Sequence, residues 1–401
     1  MIRRNDFPIL NKKIKDQSLV YFDNASTAQK SRSVIEAISN FYKNDNANVH
    51  RGLNPLADAA TKKYEVARSL VADFIGAQKE EIIFTSGATA GINLVARSWG
   101  EANLQAGDIV VLSIAEHHAN IVPWLQLQEK IGIKLEYIPL KADGSWDLVA
   151  AKKLLNKRRV KLLAISQVSN VLGIINPASQ LIKLAKQKGI VTLIDAAQSV
   201  AHLKIDVKRL GCDFLVFSGH KLGGPTGIGV LYGRQELLLA MPPFMGGGDM
   251  ISFVDTDSFG VNELPYKFEA GTPNIAGVIG LGAAIKYLEG VGHHNIEIQE
   301  QQLTTYFLQK IKKLTAVKIL GTAKAKLPIF ALTIKGVHPH DAADILGQAG
   351  IILRAGHHCA QPLHDYLGAP ATLRASLSFY NTKGEIDYFI SRLQELIRAF
   401  K

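Results

Sequence analysis

Apolar residues along this chain fall into short unbroken runs separated by longer periodic stretches. "DIVVLSI" (108–114), "VKLLAIS" (160–166), "IVTLIDA" (190–196) and "DFLVFSG" (213–219) are rich in Val, Ile, Leu and Phe and bounded by polar or glycine residues. Runs of this kind predict strands buried on both faces. "KLEYIPL" (134–140) alternates polar and apolar positions, the pattern of a strand with one wetter face. Between the runs apolar residues recur at helical spacing, as in "ASQLIKLAKQKG" (178–189), where Gly189 stands to end the helix. In 58–76 the spacing puts Val66, Leu70, Val71, Phe74 and Ile75 on one helical face, closed by Gly76. In 385–400 it does the same for Ile386, Phe389, Ile390, Leu393 and Ile397. Strand and helix alternate so regularly that the expected class is α/β, a mostly parallel sheet with helices on both faces. Around 242–275 the texture turns to Pro and Gly with little periodicity, which reads as a loop-rich passage to a second, smaller α/β domain.

The totals narrow this picture without redirecting it. With 401 residues the chain is long enough for two or three domains. The 46 Lys+Arg exceed the 35 Asp+Glu by 11, but apart from "NKKIK" (11–15) and "NKRRV" (156–160) the basic residues are scattered and not interleaved with aromatics. A solvated basic surface is therefore expected, with no nucleic-acid partner. Two cysteines make no disulfide framework. The basic start "MIRRNDFPIL" is followed by no apolar signal core, and no apolar run has a membrane-spanning length. A cytoplasmic protein without a membrane partner is expected.

Several polar residues stand where buried strands end. The run 213–219 leads into His220 and Lys221 and then a glycine-rich turn; the run 190–196 ends in Asp195, with Gln198 just beyond. In parallel sheets ligands gather at the carboxyl ends of strands. An amine and an acid on one such edge suit pyridoxal phosphate, which needs a lysine for its aldehyde and an acid for its ring nitrogen. A plain Asp–Lys ion pair reads equally well from these two residues. "FTSGATAGINLVARS" (84–98) passes from a short strand through Ser86, Gly87, Ala88 and Thr89 into a helix, a backbone arrangement that binds anions but lacks the spacing of a nucleotide motif. "AEHHANIVPW" (115–124) sets His117 and His118 at the same sheet edge; an imidazole there can stack on a planar ring, and His117 reads as an ordinary loop residue.

"RAGHHCAQPL" (354–363) holds Cys359 after two histidines. Adjacent residues do not share one metal ion easily, and no second pair completes a zinc set, so no metal is expected. The polar, Gly/Pro-punctuated surroundings read as a loop, and Arg354, His357 and His358 are expected to favour the thiolate of a reactive cysteine. Cys212, opening a buried strand, reads as core. Arg374, in "TLRASLSFYNT" (372–382), is a natural clamp for a carboxylate or one half of a surface ion pair.

Together these residues resemble the class V, fold-type I pyridoxal-phosphate enzymes, and more closely the group II (Suf-type) cysteine desulfurases with selenocysteine lyase activity. The resemblance runs from "DFPIL" (6–10) to "RASLSFYNT" (374–382), through "ANVHRG" (47–52), "EHHANIVPW" (116–124), "VSNVLG" (168–173), "DAAQ" (195–198), "FSGHK" (217–221), "GPTGIGVLYG" (224–233), "EAGTPN" (269–274) and the cysteine segment. It implies a large cofactor-binding domain over 21–261 and a small C-terminal domain over 262–401 that carries the cysteine loop, with residues 1–20 packed against the small domain. It implies that Lys221 links to pyridoxal 5′-phosphate, Asp195 pairs with the ring nitrogen, Gln198 meets the phenolic oxygen and His118 stacks on the ring. Ala88, Thr89, Ser218 and His220 would hold the phosphate, and Thr272 would reach the phosphate of a partner subunit in a homodimer. Asn170, Arg374 and Arg354 would hold the substrate, and Cys359 would take its sulfur. The implied reaction turns L-cysteine into L-alanine and a persulfide, passed to an acceptor protein for iron–sulfur assembly, with L-selenocysteine as a further substrate. Three positions depart from the family pattern: Gly223 where tyrosine is common, Ala88 where some relatives have threonine, and Ser31 where proline is usual. The rival readings are another class V reaction, an aminotransferase or β-lyase, and a non-catalytic binding protein on this fold.

Overall fold

A computed structural model describes residues 4–400; residues 1–3, the start of the expected N-terminal segment, and residue 401 lie outside the described residues. Seven strands form the central sheet: β1 Ile82–Thr85, β2 Ile109–Ser113, β3 Lys134–Ile138, β4 Val160–Ser166, β5 Val191–Asp195, β6 Phe214–Ser218 and β7 Gly229–Gly233. Their spatial order is β1-β7-β6-β5-β4-β2-β3. Only β7 runs against its neighbours, β1 and β6; every other pairing is parallel. The unbroken apolar runs arise because helices cover both faces: one core lies beneath Val111, Leu163, Ile194 and Phe217, and a second beneath Val110, Leu162, Leu193 and Val216.

Local signals fix the helix ends. Helix Pro55–Ile75 begins with Asn54 accepting the Ala57 N–H at 3.0 Å and Pro55 in its first turn, and ends at Gly76 with φ 74°. Its buried side is Ala60, Tyr64, Ala67, Val71, Phe74 and Ile75, whereas Val66, expected on that side, is exposed. The rotation follows from helix Ile275–Val291, which lies so close that a Cβ on Gly282 would stand 3.0 Å from that of Ala67. Helix Lys383–Ala399 starts in a capping box between Thr382 and Glu385.

The smaller unit holds a four-stranded sheet of β8 Val317–Leu320, β9 Ile329–Ile334, β10 Arg354–Gly356 and β11 Thr372–Ser376, in the order β8-β9-β11-β10 and antiparallel throughout. Its core of Phe307, Phe330, Leu373 and Phe389 also takes in Val20 and Phe22 from the N-terminal segment. Val20 and Tyr21 pair in parallel with Ile351 and Ile352, and the Arg4 guanidinium meets Glu385 at 2.7 Å. The boundary expected at 262 falls too early. Helix Ile275–Val291 is apolar nearly all round, and Val278, Leu281 and Ile285 are buried in the core of the large unit. The segment 242–275 is not all loop either: Ile251–Val254 and Phe259–Val261 form an antiparallel hairpin with Phe253, Val254 and Phe259 exposed. Among the described residues no single helix is long and apolar enough to cross a membrane.

Candidate active site

Parallel pairing of β5 with β6 aligns their carboxyl ends, so Asp195 stands beside Val216 and Ser218 lies one turn of pleat further on. A short 3₁₀ turn, Gly219–Lys221, then bends the chain back over the sheet edge. Asp195 and Lys221 thereby face one cleft of about 650 Å³, lined also by Ser26, Thr89, His117, Asn170, Arg354 and Arg374. They make no direct ion pair across it. Asp195 accepts the Ala197 N–H at 2.8 Å instead, and burial pushes its carboxyl above the ordinary range while the Lys221 charge opposes this. Burial likewise pushes the Lys221 amine down; Asp195 pulls it up and Arg374 pushes it further down. An acid and an amine that share a cleft without touching leave a gap between them for a ligand.

An anion cradle lies at one end of the cleft. β1 leads through Gly87 into helix Ala88–Leu94, and the Ala88 N–H donates to the Ser218 hydroxyl at 2.9 Å. Here β7 passes so near that a Cβ on Gly229 would stand 2.4 Å from the Gly87 Cα, so glycine is needed at 229 for loop and strand to meet. His220 lines the same end; burial and the Lys221 charge push its imidazole down to about 4. The His220 carbonyl accepts from the Thr27 hydroxyl and from Lys30 Nζ, each at 3.2 Å.

At the other end the two units meet. Arg374, buried on β11, donates to the Asn170 carbonyl at 3.0 Å, to Asp23 at 2.9 Å and to the Ser26 hydroxyl at 2.6 Å. Its Nε is buried without a partner. Arg354 donates to the same Ser26 at 3.1 Å and stands 3.5 Å from the Cys359 sulfur. His358 and Cys359 adopt left-handed backbone with φ 52° and 58°, a conformation that costs a β-carbon residue energy and is held here by the fold. Asn170 Nδ2 donates to the His358 carbonyl at 2.7 Å. Cys359 is half-buried.

Two sequence expectations require correction. His117, not His118, faces the cleft. His117 caps the 3₁₀ turn His118–Asn120 by accepting the Ala119 N–H at 3.1 Å, and this turn directs the next side chain away. His118 instead holds the cysteine loop: its N–H donates to the Cys359 carbonyl at 2.7 Å and its Nε2 accepts from the Gln361 N–H at 3.0 Å. Burial, then the Lys221 charge, push His117 down to about 3, so its ring is neutral. His358 is also no cation for the thiolate, since burial and the Arg374 charge push it down to about 2. Among the described residues Arg354 alone brings a cation into contact with the sulfur. Gln198 is buried and donates to the carbonyl of Ala25, a residue of the cleft lining, at 2.8 Å. Thr272 lies outside the cleft, exposed, beside a separate surface cavity. Ser26 and the buried Glu116 had no signal in spacing or composition; Ser26 joins the site because the N-terminal segment pairs with the small unit. Glu116 accepts from Ser166 N–H at 3.0 Å, from the Ser166 hydroxyl and from Asn120 at 2.8 Å, yet burial raises its carboxyl to about 7.

Residues 20–389 match the family model described as aminotransferase class-V. The chain belongs to the aminotransferase class-V family. A probable cysteine desulfurase of Synechocystis is 48% identical over 99% of this chain and 95% of its own length. A cysteine desulfurase of Klebsiella pneumoniae (strain 342) is 48% identical over 98% and 97%. Among solved structures, the apo cysteine desulfurase of Thermococcus onnurineus superposes with a TM-score of 0.94 at 41% identity, covering 99% of this chain and 97% of that one. A cysteine desulfurase of Escherichia coli gives 0.91 at 39% identity, covering 99% and 98%. The cleft fits the cofactor of this class V family, pyridoxal 5′-phosphate: an amine for the aldehyde, a separated buried acid for the ring nitrogen, and N–H and hydroxyl groups for the phosphate.

Proposed function

We propose that this chain is a pyridoxal-phosphate-dependent cysteine desulfurase that takes sulfur from L-cysteine, releases L-alanine and keeps the sulfur as a persulfide on Cys359. The observation that carries this reading is the junction of the two units, where the Cys359 loop, with Arg354 against its sulfur, closes one end of the cleft that holds Lys221 and Asp195. A plain aminotransferase has no use for a thiol held there. When bound, the cofactor supplies an electron-accepting ring that lets a Cα proton leave and the β C–S bond weaken.

The chain's own groups divide the remaining work. Asp195, enclosed and free of an ion pair, holds the ring nitrogen. Lys221, with its amine pushed down by burial, anchors the aldehyde and, once released, takes the Cα proton. His117 stacks on the ring in the role first expected of His118, and its neutrality spares the cleft a further charge. Thr89, Ser218, His220 and the Ala88 N–H hold the phosphate, and Gln198 supports the phenolic side. Arg374, with Asn170 beside it, takes the substrate carboxylate through its unpartnered Nε. Arg354 holds the Cys359 thiolate for attack on the substrate sulfur.

In the same reading the enzyme is a cytoplasmic homodimer in which Thr272, exposed outside its own cleft, reaches the partner's phosphate. L-Selenocysteine is a further substrate, and the persulfide passes to an acceptor protein serving iron–sulfur assembly. Mass spectrometry after exposure to L-cysteine tests the central claim. One extra sulfur on Cys359 is expected, and none in a Cys359→Ala protein that keeps its cofactor colour. Undiminished sulfide release by that variant refutes the reading in favour of a β-lyase.

A further inference from the structure

Three buried side chains behind the cysteine loop share one hydroxyl. Thr372 Oγ1 lies 2.8 Å from His358 Nε2 and 3.1 Å from His364 Nε2. A hydroxyl has one proton to give, so it donates to one ring and accepts from the other. His364 Nδ1 stands 3.0 Å from the Ala360 carbonyl oxygen, which only accepts, and therefore carries that ring's proton. Burial pushes His364 below its ordinary pKa, so its Nε2 keeps a lone pair. Thr372 donates to that lone pair, and its oxygen accepts from His358 Nε2–H. The neutral His358 ring then has a bare lone pair on Nδ1. That atom is buried and has no protein partner, on a residue that lines the cleft and precedes Cys359.

In the rest of the lining Lys221, Arg354 and Arg374 offer donors alone, and the Ser26 and Ser218 oxygens already accept from the two arginines and the Ala88 N–H. Asp195 is the acid already committed to the ring nitrogen. L-Cysteine brings a carboxylate, which suits the cations, and an S–H, which needs an acceptor. We propose that His358 Nδ1 accepts the S–H of bound L-cysteine, leaves the proton on that sulfur and turns it toward Cys359, with Thr372 and His364 as positioning residues that fix the His358 tautomer. This rests on the desulfurase reading and deepens it. The Cys359 thiolate attacks a neutral sulfur instead of a second anion. The S–S bond forms, the C–S bond breaks with its electron pair passing to carbon, and the proton stays on the transferred sulfur as Cys359–S–SH. A nitrogen pushed down to about 2 accepts a hydrogen bond without removing the proton, which is what this step requires.

The test uses holoenzyme of wild type, Thr372→Ser, Thr372→Val and His364→Phe. Three quantities are read: kcat with L-cysteine, affinity for L-alanine by absorbance titration, and the His358 tautomer by long-range proton–nitrogen NMR on histidine-labelled protein. Wild type and Thr372→Ser should show the Nε2–H tautomer and equal turnover within about two-fold. Thr372→Val should lose the single tautomer and about five- to ten-fold in kcat, the worth of one neutral hydrogen bond. L-Alanine has no thiol, so its affinity should stay within about two-fold. His364→Phe frees the Thr372 proton for His358 and should give the same split without touching the cleft. A wild-type Nδ1–H tautomer, unchanged turnover in both disruptive variants, or an equal loss of L-alanine affinity overturns the proposal. A wild type that forms no persulfide on Cys359 overturns the desulfurase reading itself, which separates the two failures.

Discussion

Replacing Arg374 with lysine keeps the charge and removes the fork. In the wild type the two Nη atoms are committed to Asn170, Asp23 and Ser26, at 2.6–3.0 Å, and Nε is left buried and unpartnered. A lysine ammonium has three donors on one atom and cannot hold Asp23, Ser26 and Asn170 while also meeting a carboxylate. Loss of one hydrogen bond between charged groups costs about 1.5–3 kcal/mol, which is about 10- to 150-fold in kcat/KM. Most of the loss should fall on KM, since the carboxylate is held equally before and during the reaction. Alanine formation at varied L-cysteine, with the cofactor absorbance recorded on the same sample, measures this. The lysine protein should keep its absorbance and most of its thermal stability, because the Asp23 carboxylate retains a cation. An unchanged KM with an unchanged spectrum would show that Arg374 is a structural tie between the two units and that the carboxylate lies elsewhere.

Other outcomes follow from the same geometry. Glu269 accepts from Arg68 at 2.7 and 2.8 Å, from Tyr64 at 3.0 Å and from the Phe84 N–H at 2.7 Å, nearly all out of water. Glu269→Ala removes the two-pronged partner of a buried guanidinium and leaves it Glu65 at 3.0 Å and the Ile82 carbonyl at 2.8 Å; it should cost at most about 3–5 kcal/mol in denaturant unfolding, and an Arg68→Met/Glu269→Leu pair should recover much of it. Glu116 has its carboxyl raised from 4.5 to about 7 by burial, so its contribution to stability is fully present below about 4.5 and is lost as pH rises to about 7. Wild-type stability should therefore fall across that window by at most about 1.4 kcal/mol per pH unit, and Glu116→Gln should flatten the slope in unfolding curves taken at each pH. Lys221→Ala should abolish the absorbance of the lysine-bound cofactor; a variant that retains it would remove Lys221 from its role.

The unbroken apolar runs, the caps at Asn54 and Thr382 and the glycines at 76 and 189 settle the local structure because each acts over a few residues. They also place Asp195 and Lys221, since parallel strands covered on both faces bring their carboxyl ends to one edge wherever the strands lie in the order. The motifs that resemble the class V family extended this to Cys359, Arg374 and Asn170. The choice between His117 and His118 turned on one 3₁₀ turn, a rotation that adjacent identical residues leave undetermined. Ser26, more than three hundred residues from Arg354 and Arg374, enters the site only because β11 and the strand Ile351–Ile352 accept the N-terminal segment. The domain boundary moved because an all-round apolar helix buries itself against whichever unit offers two faces. The protons of His358, His364 and Thr372 belong to a network assembled from one loop, one helix and one strand. What the chain determines alone is periodicity, caps and chemical type, which are short-range properties; which atoms face one another, and with which proton between them, is decided by long-range packing.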